Sequence, residues 1–211
     1  MSFEPDRKAF AADPLSYSSM AWHKWELAQF AATGRGEARP APTRTELKNP
    51  VLWLTQAHAL SEAARTLVMQ TPSWESMPVW VRGVCDSQYC AAALMLVGYS
   101  LEVCLKAMLI LRTGEDSYAS DERRYHHHNL ERLAEFVPDL NAKDRAILRA
   151  LTHYIEWAGR YPDPGSGRER KLEELFTLAE GHEVAAKELF SVAGRVMKHA
   201  SAVVEDVAGP T

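Results

Sequence analysis

One apolar stretch, Tyr89 to Leu111 (YCAAALMLVGYSLEVCLKAMLIL), constrains this chain more than any other. Leu94, Val97, Leu101, Cys104, Leu105, Met108 and Leu111 recur at steps of three and four, the period of a helix, and Ala91, Ala92 and Ala93 let a neighbour approach closely. Glu102 and Lys106 are its only charged residues. The run is long enough to raise the question of a membrane span, but each charge near the centre of a spanning helix costs roughly 2.5–3.5 kcal/mol. The stretch is therefore expected to be the central helix of a water-soluble bundle. Glu102 lies four residues before Lys106, the favourable order for a helical ion pair, so their simplest role is mutual neutralisation at the edge of a core.

A core around such a helix fits the rest of the chain. Of its 211 residues, 46% are hydrophobic and 25% charged, enough for one sizeable domain with an appendage. A formal net charge of -4 and a pI near 6.1 exclude a protein that coats nucleic acid through unopposed cations, although a local basic patch stays open. Cys85, Cys90 and Cys104 are odd in number and lack metal-ligand spacing, so they read as small buried hydrophobes in a reducing compartment. The opening MSFEPDRKAFAADPLS has mixed charge and no apolar h-region. No secretory signal and a cytoplasmic location are expected.

Residues 16–32 suit a short serine-capped helix with a broad apolar face of Met20, Trp22, Trp25, Leu27 and Phe30. The Gly-, Pro- and Arg-rich TGRGEARPAPTRTELK that follows reads as a linker. The expected division is thus an arm over 1–48 and a helical domain over 49–207. Asn49-Pro50 starts a helix, with asparagine as N-cap and proline at the first helical position, and it runs to about Met69. In TPSWESMPVWVRG, Trp74 and Trp80 are expected to fold back over the core. Asp86 or Ser87 would cap the central helix, and Thr113-Gly114 would end it. EDSYASDERRYHHHN reads as irregular, Asn129 as the cap of a short helix LERLAEFV, and Asn141 with Asp144 as a capping box. The helix after Asn141 runs to about Arg160 and stops at Tyr161-Pro162. A last helical region spans Lys171 to Val207, divided near Gly181. With no sustained period-two alternation, the class is all-α, a bundle of four or five helices.

Four groups could carry chemistry. His126, His127 and His128 are consecutive and have no companion Cys or carboxylate spacing, so no metal and no cofactor is expected there. His128 could cap the helix that follows or hold its loop to Glu102. On the helix after Asn141, Ile147, Leu148, Leu151, Ile155 and Ala158 form the apolar face, leaving Arg149, His153, Glu156 and Arg160 as a polar stripe. A solvated face would look the same. The sharper reading is a phosphodiester site, with arginines binding phosphate oxygens and His153 moving a proton from a 2′-hydroxyl without metal. Arg160, Tyr161 and Asp163 form a helix-ending corner. From Lys143 to Lys171, seven Lys/Arg face four acids, a modest surplus that could meet an anion or RNA.

The order of these pieces resembles the HEPN family of helical domains, found among partners of prokaryotic nucleotidyltransferases, toxins and phage-defence proteins. The resemblance rests on GYSLEVCLKAMLI (Gly98 to Ile110), HNL (His128 to Leu130) and GRYPD (Gly159 to Asp163), and covers residues 50 to 207. It implies an up-and-down bundle of four to five helices, a homodimer, RNA or nucleotide as ligand at Glu102, Lys106, His128, Arg160, Tyr161 and Asp163, and an antitoxin or nucleotidyltransferase as partner, with no membrane. Active members cleave RNA without metal through an Arg and a His separated by four to six residues at the dimer interface. Arg149 and His153 have three residues between them, as do Arg195 and His199, while Arg123 and His128 have four but lie in the irregular stretch. The chain thus resembles the branch that lacks the motif, and a non-catalytic binding module is expected. The alternative is a metal-independent endoribonuclease using Arg149 and His153.

Overall fold

The computed structural model describes residues 4–34 and 41–208, so positions 35–40 of the expected linker lie outside the described residues. The protein is all-α: among the described residues there are eleven α-helices and no strand, where four or five helices were expected. Three helices precede the main domain: α1 (Arg7–Ala12), α2 (Pro14–Ser19) and α3 (Ala21–Thr33). The single helix expected over 16–32 is broken at Met20. Asp13 caps α2, accepting from the Ser16 amide at 3.1 Å, and the chain restarts as α3 without a side-chain cap.

Two long helices form a hairpin, α4 (Pro50–Met69) and α5 (Arg82–Thr113). Asn49 caps α4 by accepting from the Val51 amide at 2.9 Å, with Pro50 at the first position. Neither Asp86 nor Ser87 caps α5, because the helix begins earlier, out of a 3-10 turn at Val79–Val81. Leu101, Leu105, Ala107 and Met108 on α5 have no solvent exposure at all. Val79–Thr113 is long and apolar enough to cross a membrane, yet 61% of its most apolar window is buried by the rest of the protein. That is the behaviour of a core helix.

The remaining helices wrap α5. Two short ones, α6 (Glu115–Ser120) and α7 (Glu122–Tyr125), replace the irregular stretch expected there. Their order comes from Tyr118, 2% exposed, which stacks on Tyr125 with ring centroids 4.9 Å apart and meets Trp53 edge-on at 6.0 Å. Lys48, itself buried, pairs with Glu122, and Thr45 donates to Asp116 at 2.9 Å, which ties this segment to the start of α4. Then come α8 (Leu130–Leu133), α9 (Ala142–His153), α10 (Arg170–His182) and α11 (Ala186–Ala208). Asn129 caps α8, and Asn141 with Asp144 forms the reciprocal capping box of α9. α8 is one turn, shorter than LERLAEFV allowed. The last helical region divides at Glu183, whose backbone is left-handed (φ 47°), and not at Gly181. Val192 and Val196 of α11 are fully buried against the core, and the side chain of Val204 lies outside the described residues.

α9 does not continue to Arg160 as an α-helix. Tyr154–Ala158 forms a π turn, in which the Gly159 amide donates to the Tyr154 carbonyl at 3.1 Å. Two glycines let this segment pack closely on α5. A Cβ on Gly98 would fall 2.7 Å from Ile155 Cγ1, and one on Gly159 would fall on Met95 Cβ and 3.0 Å from the Ala91 carbonyl. Backbones therefore approach closely here, and since partner numbers fall on α5 as they rise on α9, the two run antiparallel.

Candidate functional site around the histidine turn

The site is built on the middle of α5. Glu102 and Lys106 are buried, and the Lys106 ammonium donates to Glu102 Oε1 at 2.7 Å. Two charges taken from water in this way need every partner they can find. Glu102 finds a second one across the fold: His128 Nδ1 lies 2.8 Å from its Oε2. A carboxylate only accepts, so the ring nitrogen carries the hydrogen and Nε2 is the free end of a half-exposed imidazole. Tyr99, one turn earlier on α5, meets the His128 ring edge-on at 6.1 Å.

Local chemistry positions that imidazole. Asn129 accepts from the Arg132 amide at 2.9 Å to start α8, and its own amide donates to His127 Nδ1 at 3.2 Å. The Leu130 amide donates to Thr152 Oγ1 at 3.1 Å, pinning the turn to α9. Burial, then the charges of Arg132 and Lys106, hold the His127 imidazole below its ordinary pKa, so it favours the neutral form. His127 Nδ1 is an acceptor and therefore presents Nε2–H. His128, while neutral, presents a bare Nε2 lone pair. The turn offers a donor and an acceptor side by side in sequence.

The cations around this turn were legible only in part from the sequence. Arg123, Arg124 and Arg132 are exposed and have no carboxylate partner among the described residues, and Arg124 lies over the Tyr125 ring at 5.8 Å. Three neighbouring acids are occupied: Glu122 by Lys48 and Arg44, Glu102 by Lys106 and His128, Glu131 by Arg149 at 3.5 Å. The run RRYHHH signalled the first two arginines. Arg132 was missed because its relation to His127 needs the α8 turn.

The structure treats the other expected residues differently. Arg149 and His153 do not share a solvated stripe. His153 is 7% exposed, with Nε2 3.3 Å from Glu174 Oε2 on α10, and its Nδ1 accepts from Trp157 Nε1 at 3.4 Å. Both ring nitrogens are engaged, while Arg149 turns outward to Glu131. Arg160 donates to the Glu156 carbonyl and packs on Tyr161 at 5.6 Å, and Asp163 accepts from the Gly165 amide at 2.6 Å, so the corner satisfies itself. Gly159 sits against Met95 and Ala91, at least seven residues from Glu102, or about 10 Å along α5 at 1.5 Å per residue. Glu102, Lys106 and His128 thus form one cluster, and Arg160, Tyr161 and Asp163 form a separate corner.

The cation surplus between Lys143 and Lys171 is partly spent: Lys143 pairs with Glu188 at 2.5 Å, Lys171 with Glu156 at 2.5 Å, and Arg149 with Glu131. Among the described residues no group of three or more His, Cys, Asp or Glu could hold a metal ion. Cys104 is the one fully buried cysteine, its thiol pushed up to about 11 by burial, whereas Cys85 is half-buried and Cys90 exposed. The sequence had grouped all three as buried.

What the fold and site define is an all-α protein with a buried acid–base couple carrying an exposed histidine turn. No family model, curated protein or solved structure matches the chain.

Proposed function

We propose that this is a HEPN-like cytoplasmic module that binds RNA or a nucleotide through the histidine turn and acts as a non-catalytic, homodimeric partner in a toxin–antitoxin or phage-defence setting. One observation carries the reading. Arg132 lies near enough to His127 to disfavour its charged form, and Arg132, like Arg123 and Arg124 just before the histidine run, has no carboxylate partner among the described residues. Guanidiniums without a carboxylate partner suit phosphate oxygens, which accept in bidentate fashion, and the outward His128 nitrogen can meet a base or ribose hydroxyl. The chain's overall charge of -4 keeps such binding local to this face.

The test is anisotropy of a labelled single-stranded RNA and of a labelled ATP analogue, at two salt concentrations. Wild type is expected to bind at least one of them, and Arg123→Glu with Arg132→Glu to weaken that binding at least about tenfold and flatten its salt dependence, since each lost phosphate contact removes ~0.7 from the slope. The charge-matched control Arg168→Glu with Arg170→Glu is expected to change little. Absence of binding by wild type, or an equal effect of both pairs, would end this reading. The ribonuclease alternative through Arg149 and His153 draws less support, because His153 is covered and both its nitrogens are used.

A further inference from the structure

The structure assigns α10 a role as a hinged cover that occludes His153 and can leave without disturbing the core. Four features of one element lead there. First, α10 lies against α9 yet has only Leu178 buried among its thirteen residues, while Leu172 and Phe176 are 44% and 61% exposed. The apolar stripe that its sequence presents is mostly unused. Second, apart from Leu178 what holds it is polar: Glu174 on His153 Nε2 of α9, and Lys171 on Glu156 of the π turn. Glu174 is half-exposed and the Lys171–Glu156 pair is only partly buried, so water competes for both.

Third, both ends of α10 are jointed. Gly165 and Gly167 before it have φ of 91° and 77°, a backbone region open to glycine, and Glu183 after it takes φ 47°. Fourth, the group beneath is polar. His153 is a nearly buried imidazole one turn from Arg149, with the Trp157 indole closing its other side. A helix of thirteen residues is marginal in isolation, so α10 keeps its order only while it rests on α9. Opening is therefore a local event. It releases Glu174 and Lys171, bares His153 beside Arg149, and leaves α4, α5 and α11 packed as before.

This regulates the face on which any Arg149–His153 chemistry would depend, and it stands apart from RNA binding at the histidine turn. The experiment is hydrogen–deuterium exchange of the intact chain, together with carbethoxylation of histidines by diethyl pyrocarbonate mapped by mass spectrometry. In wild type, amides of residues 170–182 are expected to exchange far faster than those of 97–110, and His153 to be modified more slowly than the exposed His58. Glu174→Ala is expected to raise the His153 rate about threefold, in line with a half-exposed pair. Leu178→Ala is expected to raise it about tenfold or more, as loss of the only buried anchor. Exchange over 97–110 must stay unchanged, which separates opening of the cover from general unfolding. Protection of α10 equal to that of α5, no change in His153 rate in either variant, or modification that rises only with loss of α5 protection would each overturn the assignment.

Discussion

Glu102 is the residue on which the interior charge balance turns. It accepts from Lys106 on its own helix and from His128 across the fold, and it is 6% exposed. Removing it would leave a buried ammonium with no partner, which costs about 3–5 kcal/mol. Glu102→Ala is therefore expected to lower the urea midpoint sharply, whereas Glu102→Leu combined with Lys106→Met should recover most of the loss. A single variant as stable as wild type in urea titrations would show that water reaches the pair.

His127 gives a second residue-scale prediction. Its folded pKa lies below 6.5, because burial and the nearby Arg132, Lys106 and His128 outweigh the opposing pull of Glu102. The unfolded chain therefore binds the proton more readily. The associated stability is fully present above pH 6.5 and is lost as pH falls toward the folded value. Between pH 7.5 and 5.5, wild type should lose more stability than His127→Gln, read as the difference in urea midpoints. An equal loss in both would show that this imidazole is solvated.

Elements whose signals are local were legible in the sequence. Asn49 with Pro50, Asn129, and Asn141 with Asp144 each stop or start a helix through a side chain reaching its own backbone two or three residues on. Gly114 ends α5, its amide donating to the Ile110 carbonyl at 2.8 Å. Elements ordered by distant partners were not legible. The helices α6 and α7 exist because Tyr118 is enclosed between Trp53 and Tyr125, and no spacing rule shows that from EDSYASDERRY. The start of α5 was misplaced for a similar reason, since Arg82 donates to the Glu75 and Met77 carbonyls and steadies the turn that leads in. Trp80 was expected over the core and is instead 82% exposed, while Trp74 does fold back, meeting Tyr89 at 6.2 Å.

At the scale of the molecule, the Glu102–His128 link was anticipated because a charged couple inside an apolar helix asks for outside help. The fate of His153 was not, since the period of α9 places it beside Arg149 and says nothing about α10 lying on top. The exposed tip of the α4–α5 hairpin was also hidden in the sequence. Val68, Met69, Val79, Trp80 and Val84 are 50%, 73%, 72%, 82% and 54% exposed, a concentration of apolar surface at one end of the fold. Patches beyond a few hundred Å² on a monomer mark contact sites. If the proposed homodimer forms there, sedimentation velocity should show a dimer for wild type and a monomer for Val79→Ser with Trp80→Ser. A dimer that survives both changes places the contact elsewhere, and a monomeric wild type removes the homodimer from the proposed function.

The π turn at Tyr154–Ala158 has a consequence for descent as well as shape. Such a widened coil absorbs one residue more than a regular helix, so a relative one position shorter here would keep every hydrophobic landmark yet swing its arginine corner about 100° around the axis. Chain length at this spot, more than residue identity, decides which neighbour that corner greets.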